Sequence, residues 1–129
     1  MSPSKLPDPV VNPETVEYWT AAKEGRLIVR HCRSCDRPHH YPRAICPFCQ
    51  SDDLDWQVTA GTGTLYSFSH MKAASEPYVM AFVTMDEGPT MMTNIVDTDP
   101  DTLAIGDRVE VVFAPSAGEW RYPMFRKVT

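Results

Sequence analysis

Cys32-Arg33-Ser34-Cys35 and Cys46-Pro47-Phe48-Cys49 form two C-x2-C pairs separated by ten residues. Two residues between thiolates let one tight turn aim both sulfurs at a single ion while backbone amides stabilise the negative charge. Two such turns complete a tetrahedral all-sulfur shell, for which Zn2+ is the expected ion. Iron at a four-sulfur centre satisfies the same geometry; zinc is preferred because nothing else in the sequence points to electron transfer. A shell of Cys32, Cys35, Cys46 and Cys49 has no open position for water, so its expected task is structural. His31, His39 and His40 lie close by, but four sulfurs saturate the ion, and these rings are read as surface or supporting groups. Asp36 and Gln50 follow the second cysteine of each pair, where glycine is common and a positive φ is expected.

Other constellations that could carry chemistry are sparse. The sequence holds no G-x-S-x-G elbow, no Gly-rich loop before a helix and no H-E-x-x-H. With every cysteine assigned to the metal, no thiol nucleophile remains. His70, near Ser67, Ser69 and Lys72, is the one candidate proton carrier on a strand, and an exposed or hydrogen-bonded imidazole is its ordinary role. Asp86-Glu87 and Asp97, Asp99 and Asp101 read as solvated turn acids. The chain is expected to do no chemistry by itself.

The 129 residues, 43% hydrophobic and 10% aromatic, suffice for one compact domain or two very small lobes. The net charge is −5, a poor start for a nucleic-acid binder. Five arginines between residues 26 and 43 face one acid, whereas from residue 56 onward five basic residues face nine acidic ones. An anionic ligand is therefore expected near the first stretch. No run is apolar enough to span a bilayer, and the first eleven residues, polar and proline-rich, lack the apolar stretch of a signal peptide. A cytoplasmic location follows as the expectation, with no membrane partner, and a reducing compartment favours metal over disulfides.

The elements that must position the cysteines read in three parts. Residues 1–26 form an extended arm and a helix: Asn12 caps, Pro13 opens the first turn, Glu14 faces the positive end of the dipole, and Gly25 ends the helix. Residues 27–55 form the metal ribbon, entered by a strand over 27–31. Residues 56–129 read as all β: alternation at 56–60, a bend at Gly61-Thr62-Gly63, and strands over 64–69, 78–85, 90–96, 108–113 and 125–128, with a helical turn at 100–103. The expected fold class is mainly β, an N-terminal helix and a four-cysteine zinc ribbon followed by a five-stranded OB-type barrel. On the strand 78–85, Val79, Ala81, Val83 and Met85 share one face and Tyr78, Met80 and Phe82 the other, so both faces ask to be covered.

Tyr18-Trp19, Gly25-Arg26-Leu27, the two cysteine pairs with Tyr41-Pro42-Arg43 between them, Gly61-x-Gly63-Thr64-Leu65-Tyr66-Ser67, Pro77-Tyr78, Asp86-Glu87-Gly88, Ile105-Gly106-Asp107, Val111-x-Phe113 and Pro123-x-Phe125 occur in an order that resembles the acyl-CoA-associated OB-fold family with an N-terminal rubredoxin-like zinc ribbon. The resemblance covers residues 14 to 128; Asp36 and Gln50 depart from it. It implies a small non-catalytic accessory subunit in a hetero-oligomer with a thiolase-like enzyme, which supplies the catalytic residues, with acyl-CoA at the interface. Arg30, Arg37, Arg43, Arg126 and Lys127 are the candidates for the CoA phosphates. Tyr18, Trp19, Tyr78, Met80 and Phe82 are the candidates for docking, supported by Met71, Met85, Met91 and Met92. A ribbon and an OB barrel also occur together in nucleic-acid-binding proteins, the alternative reading, although the acidic barrel segment speaks against it.

Overall fold

The computed structural model describes residues 6–128. A helix, α1 (Val16–Lys23), precedes β1 (Ile28–Cys32), β2 (Arg37–His39), β3 (Leu54–Val58), β4 (Thr62–Met71), β5 (Tyr78–Met85) and β6 (Thr90–Ile95); a 3-10 turn (Pro100–Thr102), β7 (Arg108–Pro115) and β8 (Arg121–Lys127) complete the chain. β1 is the centre of a three-stranded sheet, β2-β1-β3, and β4 to β8 close into a barrel in the order β4-β5-β6-β8-β7. The expected class, one helix, a four-cysteine ribbon and a closed five-stranded barrel, is the observed one.

Asn12 organises the helix start. Its Oδ1 accepts from the amides of Glu14 (3.0 Å) and Thr15 (3.2 Å), and its carbonyl accepts from Val16 at 2.9 Å. At the other end Gly25 takes φ +85°, and the Arg26 amide returns to the Ala21 carbonyl at 2.8 Å, satisfying an end group that the helix itself cannot. The arm is not free over its described part. The Asp8 carboxylate accepts from the Ser116 hydroxyl (2.6 Å) and the Gly118 amide (2.8 Å), and the Leu6 carbonyl accepts from the Ala117 amide at 2.7 Å. The first five residues of the expected arm lie outside the described ones.

Two strands differ from the sequence reading. The alternation at 56–60 does not open the barrel: β3 pairs antiparallel with β1, from Ile28↔Val58 to Cys32↔Leu54, and so belongs to the ribbon sheet. Periodicity reports which face is buried, not which neighbour supplies the hydrogen bonds. Gly61, at φ +76°, then turns the chain from one sheet to the other. β8 begins at Arg121 rather than at Phe125, because Pro123 can sit opposite Phe113 in a strand whose other edge pairs with β6 only at Ile95↔Phe125.

Gly63 is required by space rather than by φ. A Cβ there would lie 2.5 Å from the Thr84 carbonyl oxygen and 2.8 Å from Val83 Cγ1. Gly63→Ala is expected to cost about 2–3 kcal/mol, because the obstacle is backbone in the neighbouring strand. Urea unfolding should show a lower midpoint at unchanged slope.

One apolar cluster joins the barrel to the ribbon. Leu65, Val83, Val109 and Phe125 of the barrel are fully buried and continuous with Val29, Leu27, Tyr18 and Trp19. Outside it, Arg108 grips Asp86 with two bonds of 2.8 Å and reaches Thr64 at 3.1 Å, tying β7 to the turn after β5. The Arg108 bonds, with help from the Thr62 hydroxyl, hold the Asp86 carboxyl down to about 2. A carboxyl depressed in the folded state contributes stability above its unfolded value of about 3.9 and loses it as pH falls through the folded value. Thermal midpoints of Asp86→Asn should therefore fall less steeply than wild type between about pH 4 and pH 2. Among the described residues no helix is long and apolar enough to cross a membrane.

Candidate functional site

The sulfurs of Cys32, Cys35, Cys46 and Cys49 all lie within 4.8 Å of one another. Cys32 Sγ is 3.6 Å from Cys49 Sγ, and Cys35 Sγ is 3.7 Å from Cys46 Sγ. A tetrahedron with metal–sulfur bonds of about 2.3 Å has edges of about 3.8 Å, which both of these separations match. β1 ends at Cys32, the first turn carries Cys35, and the second turn is built on Cys46, whose amide and carbonyl bond to Ser51 (2.8 Å) and Gln50 (2.9 Å). Asp36 and Gln50 take the expected left-handed conformation, at φ +58° and +65°. Ser34 and Ser51 join the two turns through their hydroxyls at 2.8 Å.

The backbone prepares two of the sulfurs for ionisation. The amide of Cys35 lowers the Cys32 thiol against the effect of burial. At Cys46 burial pushes the thiol up, but the amides of Cys49 and Phe48 more than offset it and hold the group at about 7. Thiolates are the species that bind metal. An ion held by these four residues would cross-link the two turns, and the closed shell leaves it no vacancy for substrate.

No histidine joins the sulfurs. His31 bridges Asp55 (2.9 Å) and Asp36 (2.7 Å), and these carboxylates, Asp36 first, raise its pKa. His40 bonds the Tyr18 hydroxyl at 2.9 Å, and burial lowers it to about 4. His39, 4% exposed, accepts from the Arg43 amide at 3.3 Å; burial lowers its pKa, and the charges of Arg30 and Arg43 lower it further.

The five cationic candidates fall in two places: Arg30, Arg37 and Arg43 on the ribbon, Arg126 and Lys127 on β8. Arg30 stacks on Trp56, 4.2 Å from the ring centre, in the row Trp56–Arg30–His39 across the ribbon sheet. Arg37 lies 5.2 Å from the Phe48 ring centre. Arg126 is paired with Glu110 at 2.8 Å, and Lys127 with Asp107 at 3.3 Å and the Thr102 carbonyl at 2.8 Å. Both sit on β8, in a segment whose acids outnumber its bases. The Arg30–Trp56 stack was invisible in the sequence because it depends on the pairing of β3 with β1.

The docking candidates divide in the same way. Tyr18 and Trp19, 2% and 7% exposed, are withdrawn: they pack inside the chain, where Trp19 Nε1 donates to the Tyr41 hydroxyl at 2.8 Å and its ring meets Tyr122 edge-on. Tyr78, Met80 and Phe82 stand on the outer face of β5, with Phe82 39% exposed, while Val79, Ala81, Val83 and Met85 fill the core. Met85 and Met91 are buried, but Met92, opposite Phe82, and Met71, opposite Tyr78, extend the exposed face. Tyr66 adds to the exposed apolar residues at the β4 bulge; its place was missed because the bulge shifts the alternation.

Comparison with known proteins gives this arrangement its relatives. Residues 19–55 match the family model described as "ChsH2, rubredoxin-like zinc ribbon domain", and residues 56–114 match "ChsH2, C-terminal OB-fold domain". The chain is 36% identical over 125 residues to the probable enoyl-CoA hydratase alpha subunit of Thermomonospora curvata, covering 93% of this chain but 39% of that protein. It thus spans about two-fifths of that relative's length. It is 34% identical over 108 residues to a DUF35 domain-containing scaffold protein of Methanothermobacter thermautotrophicus, covering 78% of this chain and 81% of that one. Among solved structures, a chain of the "Ltp2-ChsH2(DUF35) aldolase" superposes with a TM-score of 0.84 at 34% identity, over 95% of this chain and 100% of that chain. With the sulfur cluster, the ribbon and the closed barrel in the same order, this chain belongs to the DUF35/ChsH2 family of zinc-ribbon OB-fold proteins.

Proposed function

We propose that this chain is a zinc-stabilised, non-catalytic accessory subunit that docks on a thiolase-type enzyme acting on acyl-CoA thioesters. The observation that carries the reading is the division of labour in the molecule. All four cysteines converge on one saturated centre, while an apolar face on β5 is left uncovered. Monomeric proteins rarely leave aromatic and methionine side chains contiguous at the surface unless something binds there. The names of the relatives, a hydratase alpha subunit, a scaffold protein and an aldolase named for two components, are in keeping with a chain that serves an enzyme. The ion is zinc. Tyr78, Met80 and Phe82 form the centre of the docking face. Arg30 and Arg43, whose charges both bear on His39, are the remaining candidates for the CoA phosphates, with Arg37 beside them on the ribbon.

Reconstitution tests the reading. The chain alone should turn over no acyl-CoA thioester, and it should co-elute with a thiolase-type subunit from the same genome and raise its turnover. Co-elution with none of them, or thioester turnover by the isolated chain, overturns it.

A further inference from the structure

A cavity of about 650 Å³ lies against the barrel wall where β6 and β8 join. The two strands pair only at Ile95↔Phe125, so the wall there is held by a single register position. Pro77, Val112, Ala114 and Pro115 line it beside the nearly buried Val79, Ile95 and Met124, and Leu6 of the N-terminal arm joins the lining. That volume is within the range of small-molecule sites, which are mostly apolar with a few placed polar groups.

The polar groups specify the occupant. Asn94 spends its Nδ2 on the Val79 carbonyl at 3.1 Å, which leaves Oδ1 as an acceptor. Thr98 is likewise committed, donating to the Val96 carbonyl at 2.9 Å and accepting from the Lys127 amide at 3.1 Å. His70 and Asp97 are its titratable lining residues. Among the described residues no lysine or arginine lines the cavity, and the Asp97 carboxylate disfavours a second negative charge there. A hydroxyl suits it, donating to Asn94 or Asp97 and accepting from His70.

We infer that this cavity binds the uncharged hydrocarbon body of a small molecule bearing a hydroxyl group. Tyr78 lines the cavity and also stands on the exposed face of β5, so the cavity adjoins the proposed docking surface. The inference thus deepens the docking proposal, on which it rests for the step that the occupant is the apolar part of the docked enzyme's substrate. Binding to the chain itself does not depend on that step.

The test titrates the full chain at low ionic strength with 1-octanol, octanoate and CoA, following backbone amide resonances by NMR. Octanol should bind saturably and shift Val79, Ile95 and Ala114. Octanoate should bind about tenfold more weakly, and CoA should leave those resonances unmoved. Asp97→Asn, conservative at a position with φ +51°, should strengthen octanoate binding by about threefold and leave octanol unchanged. Ala114→Phe, or the smaller filling Val112→Met if that variant does not fold, should weaken octanol by about tenfold while the enzyme complex still forms. Lack of saturable octanol binding, equal affinity for octanol and octanoate, or indifference to both fillings overturns the inference. Failure to find an enzyme partner overturns the docking reading and leaves these binding results standing.

Discussion

Replacing Cys46 with serine should abolish metal binding and unfold the ribbon. The turn region from Arg33 to Asp53 carries one three-residue strand, Arg37–His39, and little buried apolar surface beyond Cys46 and Pro42. A segment of this size folds when a metal supplies the difference, about 10–16 kcal/mol for four-ligand zinc sites at neutral pH. Serine offers a harder, far less acidic donor in place of a thiol that the Cys49 and Phe48 amides had brought to about 7 against its burial. The barrel should remain strand-paired, since β4 to β8 close on themselves. It should nonetheless lose stability, because Leu27, Ile28 and Val29 at the ribbon base belong to its core. Elemental analysis and amide exchange read the two effects separately. Stoichiometric metal with native protection of the β1 and β2 amides in Cys46→Ser would falsify the structural role assigned to the centre.

Phe82→Asp should abolish association with the enzyme subunit while leaving the fold intact. Phe82 sits at the middle of the exposed β5 face, opposite Met92 on β6 and Ser67 on β4. Its side chain points away from the core that Val79, Ala81, Val83 and Met85 fill. A buried carboxylate at an apolar interface centre costs affinity by roughly a hundredfold or more, about 3 kcal/mol, whereas on the free surface it is tolerated. Unchanged thermal unfolding together with lost co-elution is the expected pair of results; retained co-elution would move the interface elsewhere. An equivalent charge outside the β5 face, Val10→Asp, serves as the comparison at another exposed apolar residue and should leave association unchanged.

Local chemistry was legible where it depended on neighbours in sequence. The sulfur quartet could be read from two short spacings, since a knuckle is a local turn. The Asn12 cap, the Gly25 stop and the positive φ at Asp36 and Gln50 were likewise readable, each belonging to a few consecutive residues. The two faces of β5 followed from period-two alternation. Readings failed where the answer lay in a distant partner. Tyr18 and Trp19 looked like a possible docking stripe, but their exposure depends on Tyr41 and Tyr122. The partners of Arg126 and Lys127, Glu110 and Asp107, lie across the sheet and its loops and were equally beyond the reach of local spacing.

The sequence by itself determined the metal centre, the order of helix, ribbon and barrel, and the apolar character of both faces of β5. Only the tertiary structure decided that β3 joins the ribbon, that Arg30 stacks on Trp56, that the arm is pinned by Ser116 and Gly118, and which apolar residues remain exposed. Periodicity and turn chemistry act over a few bonds, whereas strand pairing, ion pairing and burial depend on segments brought together from positions up to about a hundred residues apart.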